Sequence, residues 1–312
     1  MINKSPAQTK TRSRKVIIIT RRTRFEDLVA LYNTEDQAAF VIESRGDDFN
    51  DYRAEHITYQ KVLKDIEAAL FSAVRIQMLE REFLPNFIFG KDDIVIVVGQ
   101  DGLVANTVKY LNGQPIIAIN PEPSRYDGIL LPFLAKDIKL ILADVIKGIN
   151  NSKAITMAKA TLNDGQELLA VNDIFIGPRY HTSARYELNY NGQSEQQLSS
   201  GIIVSTGLGS TGWLASIVAG AQGVVGTKAE NQNFAWDANY LKYAVREPFP
   251  SNVTGTKLIY GKVSSKKTMT VASRMANNGV IFSDGMIDDT VEFNSGAIVE
   301  LGIADRQGQL VI

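Results

Sequence analysis

The chain of 312 residues contains no cysteine and has histidine only at His56 and His181. Disulfides, thiol nucleophiles, iron–sulfur clusters and thiolate zinc sites are therefore excluded. A Ser-His-Asp triad or a multi-histidine metal site would have to use one of these two residues. Asp and Glu remain as the expected acid–base groups, and an oxygen-bound ion such as Mg²⁺ as the expected metal. This combination is typical of phosphoryl transfer.

The sequence also lacks long apolar runs and a charge of one dominant sign. No window holds 18 consecutive apolar residues, so no membrane-spanning helix is expected. The 33 Lys and Arg nearly balance the 34 Asp and Glu, which gives a net charge of −1. This balance is typical of neither a nucleic-acid-binding nor an acidic disordered chain. We therefore expect a soluble cytoplasmic protein that binds neither nucleic acid nor membrane.

The length and local composition predict a tail and two domains. A chain of this length exceeds the size at which one hydrophobic core usually stops growing. The first fifteen residues carry five basic side chains and no acid. They predict a flexible basic tail over residues 1–14, with an organelle transit peptide as the less common alternative. A Gly, Asn and Ser cluster around residue 150 marks the boundary between a domain over 15–150 and a domain over 151–312.

The first domain is predicted to be α/β with a parallel sheet. Apolar runs without alternation are Val16–Thr20, Asp93–Val98 and Pro115–Asn120. Such runs indicate strands buried on both faces, and helical spacing over Leu103–Leu111 completes a βαβ unit. Residues 26–55 carry nine carboxylates, so we expect a solvated loop or a weak helix there.

The second domain is predicted to be all-β and similar to a β-sandwich. Its apolar residues alternate with a period of two, and turn signals separate short strands. The predicted strands are 155–162, 168–176, 184–190, 201–206, 257–263, 268–272, 280–282, 290–293, 297–303 and 309–312. One helix is expected near Trp213–Ala219.

The first candidate site is the turn formed by Gly99, Gln100, Asp101 and Gly102. It follows an apolar strand and begins the next helix, where glycine lets the backbone approach phosphate and helix N–H groups attract anions. Asp101 would face the crevice in which open α/β sheets bind ligands. A Gly-Asp turn that only caps the helix explains the position equally well.

The second candidate site is the glycine-rich loop from Ser205 to Trp213. Gly207, Gly209 and Gly212 have the spacing of the dinucleotide fingerprint. The βαβ context of a Rossmann site is missing, however, and Trp213 occupies the position of the Walker A lysine. A phosphate-binding loop of another type remains open, as does close helix packing on glycine.

The third candidate site is the pair Asn172-Asp173. An amide beside a carboxylate could bracket a ribose diol, because the amide donates and both groups accept hydrogen bonds. A turn at the start of a strand is the alternative explanation.

Taken together, the three sites resemble those of the NAD kinase family, and within it the mitochondrial-type branch. Gly99–Gly102 resembles the family's Gly-Gly-Asp-Gly motif, Asn172-Asp173 resembles its Asn-Glu pair, and Ser200–Trp213 resembles its Asp-Gly…Ser-Thr…Gly-Ser-Thr-Ala-Tyr segment. The stretches that resemble the branch are Tyr52-Arg53-x-x-His56, Ile119–Gly128, Arg246-Glu247-Pro248 and Ser283-Asp284-Gly285. The resemblance runs from about Tyr52 to the C-terminus.

The resemblance implies an ATP-dependent kinase that phosphorylates the 2′-hydroxyl of the adenosine ribose of NAD and gives NADP. It implies a general-base or orienting role for Asp101, Mg²⁺ bound with ATP rather than at a fixed protein site, and a homodimer or higher homo-oligomer. The β-rich second domain would bind the dinucleotide. The implied NAD-binding residues are Asn172, Asp173, Ser200, Thr211, Gly212, Trp213 and Ser216. The implied phosphate-binding residues are Gly99, Gln100, Gly102, Gly207, Gly209 and Ser210.

Two departures from the family pattern keep other functions open. Gln100 replaces a glycine and Leu103 replaces a threonine, which favours a nucleotide-binding relative with weakened transfer. A kinase of the same superfamily that acts on a lipid or a sugar is a third interpretation. An oxidoreductase that uses the three-glycine loop is a distant fourth.

Overall fold

The computed structural model describes residues 14–228, 231–286 and 289–312. The predicted basic tail, apart from Arg14, lies outside these residues. The chain divides into two compact units, one extending to Lys153 and including Gln309–Ile312, and the other spanning Ala154–Gly308. The last four residues therefore belong to the first unit, whereas the sequence analysis assigned them to the second domain.

The first unit is an α/β fold around a parallel sheet, as predicted. Its strands are β1 (Lys15–Thr20), β2 (Arg75–Glu80), β3 (Ile94–Val98) and β4 (Pro115–Ile119). They lie in the order β2-β1-β3-β4, and Gln309 and Leu310 pair in parallel with the start of β4. The helices are α1 (Arg24–Tyr32), α2 (Glu35–Ser44), α3 (Phe49–Leu70), α4 (Asp101–Val108) and α5 (Ile138–Lys147).

Residues 26–55, for which a solvated loop or a weak helix was expected, lie largely in α1, α2 and the first part of α3. The side chains of Thr23, Thr34 and Asp48 each accept a backbone N–H at the start of α1, α2 and α3, respectively. Such caps satisfy N–H groups that lack an intrahelical acceptor. Ala38, Ile42 and Phe49 form a small buried cluster between these helices. Capping and tertiary packing thus stabilise helices in a segment whose many carboxylates suggested a loop.

The order of the strands reverses between β1 and β3. Strand β2 follows β1 on one side, whereas β3 and β4 lie on the other. By the general rule that such crossovers are right-handed, α3 and α4 are expected on opposite faces of the sheet, and open sheets bind ligands at the carboxyl ends of the strands where the order reverses. The Tyr59 hydroxyl joins these two ends by accepting the N–H of Arg21 at 3.1 Å and donating to the carbonyl of Val98 at 2.9 Å.

The second unit contains two sheets and a core of apolar residues from both. Its strands are β5 (Ser152–Leu162), β6 (Glu167–Ala170), β7 (Asp173–Pro178), β8 (Ala184–Tyr190), β9 (Gln193–Ser199), β10 (Ile202–Ser205), β11 (Leu241–Val245), β12 (Tyr260–Val263), β13 (Met269–Ser273), β14 (Gly279–Ser283), β15 (Thr290–Glu292) and β16 (Ile298–Val311). One sheet is antiparallel, in the order β12-β11-β10-β7-β14-β15. In the other sheet, β16 pairs with β13 and β5, β13 pairs with β8, β8 pairs with β9, and β5 pairs with β6. The buried core includes Ile174, Tyr186, Ile202, Tyr243 and Val271. The predicted fold class is thereby confirmed.

Several element boundaries differ from the predicted ones. The predicted strand 168–176 is broken between β6 and β7, because the carboxylate of Asp284 accepts the backbone N–H groups of residues 171–173. Strands β9 and β11 were not predicted; β9 (QSEQQLS) is polar and shows no apolar alternation. Helix α6 (Trp213–Val225) continues beyond residue 219, and β16 joins two strands that were predicted to be separate.

Candidate functional site

In the first unit, Asp101 lies at the first position of α4, directly after the carboxyl end of β3. It is half-buried, and its Oδ1 accepts the backbone N–H of Leu130 at 2.8 Å. The N–H of Leu103 donates to the carbonyl of Gln100 at 2.9 Å, so only the N–H groups of Asp101 and Gly102 precede the first hydrogen bond of α4. The turn predicted from Gly99 to Gly102 therefore places a carboxylate beside N–H groups of the kind that attract anions.

The two departures from the family pattern take part in internal contacts. A Cβ atom on Gly99 would lie 2.9 Å from Cδ2 of Leu103, so Leu103 fills the space that a glycine leaves. Burial, together with the hydrogen bond to Glu55, raises the pKa of the Tyr126 hydroxyl, and the neighbouring Gln100 side chain opposes this effect.

A network of arginines and carboxylates surrounds the carboxyl end of β1. The buried carboxylate of Glu55 accepts hydrogen bonds from Arg21 at 2.8 Å, Arg24 at 2.6 Å and the Tyr126 hydroxyl at 3.0 Å. Burial acts to raise the pKa of Glu55, but these hydrogen bonds outweigh it and lower the pKa. The sequence analysis did not assign these residues to the site, although the resemblance to the branch begins nearby, at Tyr52.

In the second unit, the structure brings the second and third candidate sites together. They line one pocket of about 360 Å³, a volume within the range of small-molecule sites. Its lining consists of Asn172, Asp173, Leu208, Gly209, Thr211, Gly212, Trp213, Asp284 and Gly285. Asn172 lies between β6 and β7, Asp173 is the first residue of β7, and the glycine loop joins β10 to α6.

Two of the loop glycines are required by close backbone packing. A Cβ atom on Gly209 would collide with the backbone of Asn172, and one on Gly207 would collide with the carbonyl of Ala235. Close packing against non-helical backbone, rather than the helix packing considered from the sequence, therefore accounts for both glycines without a ligand. Ser210 is fully buried, and its hydroxyl donates to the carbonyl of Gly207 at 2.7 Å.

Ser200 and Ser216 lie outside the lining of this pocket. Ser200 precedes β10, at the end of that strand opposite the glycine loop, and its N–H donates to the carbonyl of Arg246 at 2.9 Å. Ser216 is exposed one turn into α6 and donates to the carbonyl of Gly212 at 3.2 Å. Strand direction and helix rotation separate these serines from Asn172-Asp173, so their assignment to NAD binding stays a prediction.

Asp173 carries an acidic group in an unusual environment. Its Oδ1 is buried and has no hydrogen-bond partner among the residues that the structure describes. Burial raises the pKa of Asp173 to about 7, the negative charge of Asp284 adds to this effect, and the neighbouring Ser205 hydroxyl opposes it. Asp173 is therefore partly protonated near neutral pH and can both donate and accept hydrogen bonds.

The Trp213 ring forms one wall of the pocket and is itself packed. It stacks on Phe175 with ring centroids 5.7 Å apart and an interplanar angle of 7°. The guanidinium of Arg246 lies 5.3 Å from its centroid, a cation–π geometry. Sequence analysis singled out Arg246 only through its resemblance to the branch, and the contact with Trp213 gives it a physical role.

Comparisons with known proteins agree with this geometry. No protein-family model matches the chain. A curated NAD kinase from Saccharophagus degradans is 26% identical over 163 residues, which are 50% of this chain and 54% of that protein. The match thus spans about half the length of the curated relative.

Two solved structures resemble the chain over nearly its whole length. An NAD kinase from Archaeoglobus fulgidus in complex with ATP covers 96% of this chain and 93% of its own, with a TM-score of 0.57 and 17% identity. Yeast NADH kinase complexed with NADH covers 95% of this chain and 83% of its own, with a TM-score of 0.58 and 13% identity. The chain has the NAD kinase fold. The resemblance to the family is confirmed, whereas the closer resemblance to the mitochondrial-type branch stays a prediction.

Within this NAD kinase fold the predicted site residues are divided between the two units. Asp101 and the Gly99–Gly102 turn belong to the first unit, and Asn172, Asp173 and the glycine loop belong to the second. The sequence analysis missed Asp284, whose carboxylate accepts the N–H of Asn172 at 2.7 Å. Its inclusion in the stretch Ser283–Gly285 was the signal that could have identified it.

Proposed function

We propose that this protein is an ATP-dependent NAD kinase that transfers the γ-phosphoryl group of ATP to the 2′-hydroxyl of the adenosine ribose of NAD. The pocket that joins Asn172-Asp173 to the glycine loop is the observation that carries this proposal. Support also comes from the curated NAD kinase relative and from two kinases of similar fold, one solved with ATP and the other with NADH.

In the proposed reaction, Asp101 is the general base. The 2′-hydroxyl oxygen attacks the γ-phosphorus as its proton passes to Asp101, and the bond from that phosphorus to the bridging oxygen of the ADP leaving group breaks. The hydrogen bond from Leu130 holds one carboxylate oxygen of Asp101 and so orients the group. The N–H groups of the first turn of α4 would stabilise negative charge on the phosphates.

The acceptor would be held by the second unit. Asn172 and Asp173 would bracket a ribose diol, and Thr211, Gly212 and Trp213 would line the remainder of the dinucleotide pocket. We assign Ser200 and Ser216 to the same ligand on the basis of the resemblance alone. Gly99, Gln100, Gly102, Gly207, Gly209 and Ser210 remain the proposed phosphate-binding residues.

Mg²⁺ is proposed to enter with ATP. Among the described residues there is no group of three or more His, Asp or Glu side chains that could hold a metal ion. Phosphate and water oxygens would be its chief ligands. When bound, Mg²⁺ would neutralise part of the phosphate charge.

A panel of acceptors tests the proposed substrate. Purified protein is supplied with ATP and Mg²⁺ and with NAD, NADH, diacylglycerol or a sugar, and phosphorylated product is measured. We expect NADP or NADPH as product and no phosphorylated lipid or sugar, because the pocket offers Asn172 and Asp173 to a ribose diol. If only the lipid or the sugar is phosphorylated, that compound and not NAD is the acceptor, and the proposed substrate is wrong.

The assembly and location of the protein are also proposals. We propose a homodimer or higher homo-oligomer on the basis of the resemblance and a cytoplasmic location on the basis of the sequence, and light scattering and cell fractionation would test them. None of the helices within the described ranges is long and apolar enough to cross a membrane.

A further inference from the structure

Asp101 is bound by a segment that is distant in sequence. The N–H on its Oδ1 belongs to Leu130, a buried residue near the end of the loop 120–131 that follows β4. A carboxylate at the start of a helix can adopt several rotamers. Its direction in this protein therefore depends on where the loop holds Leu130.

The loop 120–131 is closed by the side chain of Asn120. Its Nδ2 donates to the carbonyl of Tyr126 at 3.0 Å, and its Oδ1 accepts the N–H of Glu122 at 3.0 Å. Gly128 has a φ of +64°, and a Cβ atom there would lie 2.6 Å from the Asn120 amide. The loop is thus folded around a buried amide, with glycine required where the chain passes it.

Two side chains fasten this loop to helix α3. The guanidinium of Arg125 donates to both carboxylate oxygens of Asp51, at 2.8 and 2.6 Å. The hydroxyl of Tyr126 donates to the buried carboxylate of Glu55 at 3.0 Å. A bidentate pair and a bond to a buried acceptor are strong, directional contacts. They fix the loop against a helix that itself packs on the sheet.

We propose that loop 120–131 is the positioning element of Asp101, with Leu130 holding the carboxylate and Arg125 and Tyr126 holding the loop on helix α3. The effect on turnover rests on the proposed kinase function. The contacts do not depend on that function, so the contacts and the effect on turnover can be tested separately.

The first arm measures the Leu130 contact by hydrogen–deuterium exchange resolved to single residues. The double variant Arg125→Lys with Tyr126→Phe keeps a charge and an aromatic ring but removes the bidentate pair and the hydroxyl. We expect the Leu130 amide to exchange at least about tenfold faster, because local opening controls exchange. Unchanged exchange at Leu130 would overturn the proposal.

Matched controls separate this effect from general unfolding. The variant Arg45→Lys with Tyr180→Phe makes the same changes at exposed positions outside the site, and Leu130 should then exchange as in the wild type. In the test variant, amides in the centre of β3 should retain their protection. The single variant Asp101→Ala removes the acceptor of the Leu130 amide and leaves the loop unchanged. The Leu130 amide should exchange faster in this variant than in the wild type, and equally slow exchange would also contradict the proposal.

The second arm measures turnover. If Asp101 is the base, the double variant should lower kcat by about 10- to 100-fold, because misplacing a catalytic group by about 1 Å costs up to about 100-fold. The KM for NAD and its calorimetric affinity should stay within about twofold. If the Leu130 amide exchanges faster in the double variant but kcat is unchanged, the loop does not position Asp101 for catalysis. Absence of NADP formation by the wild type would instead reject the proposed function and leave the exchange result to decide on the loop.

Discussion

At the scale of single residues, Asp173 has a carboxyl group that the fold keeps partly protonated. Its pKa is raised to about 7, mainly by burial. The unfolded chain releases this proton near pH 4. Between about pH 4 and pH 7 the folded state therefore binds more protons than the unfolded state. Stability must fall as pH rises through this window and then level off above it.

Asp173→Asn should remove this pH dependence. The amide cannot ionise, so the free energy of unfolding of the variant relative to wild type should increase between pH 5 and pH 8, by about 2–3 kcal/mol. Urea unfolding at both pH values measures the difference. Asp92→Asn, at an exposed acid, is the control. A difference between variant and wild type that does not change with pH would contradict the raised pKa.

At the scale of elements, the glycine loop before α6 combines packing with pocket formation. A side chain at Gly209 would collide with the backbone of Asn172, whereas Gly220 within α6 faces open space. Gly209→Ala should therefore destabilise the protein by about 1–3 kcal/mol and weaken NAD binding. Gly220→Ala should stabilise the protein by about 0.5–1 kcal/mol, because alanine favours helix over glycine.

Urea unfolding and calorimetry with NAD measure both changes. Equal stability of the Gly209 variant and the wild type would show that the loop can relax away from Asn172, and the close approach would then not constrain the pocket.

The predicted strands that proved accurate were those with an unambiguous local signal. Strands β1, β3 and β4 are uninterrupted apolar runs whose burial on both faces requires no knowledge of distant residues. The break between β6 and β7 could not be predicted, because it depends on the carboxylate of Asp284, more than 100 residues along the chain. Strand β9 was missed because it is polar, and its pairing with β8 is what makes it a strand.

At the scale of the whole molecule, the two-domain organisation could be inferred from the change in apolar period near residue 150. The place of the last residues could not, since Gln309 and Leu310 show strand propensity without indicating β4 as their partner. Similarly, the resemblance named Asp101, Asn172 and Asp173. The hydrogen bonds that hold these residues come from Leu130 and Asp284, which are distant in sequence, so no local sequence pattern predicts them.

NADP formation tests the central proposal most directly. Wild type, Asp101→Asn and the exposed control Asp92→Asn are assayed with NAD, ATP and Mg²⁺, and NAD binding is measured by calorimetry. We expect the wild type and the control to form NADP at equal rates. Asp101→Asn should lose about 10²- to 10⁴-fold in kcat and bind NAD within about twofold of wild type, because the loss of a general base affects the transition state. No NADP from the wild type, or undiminished turnover by Asp101→Asn, would contradict the proposal.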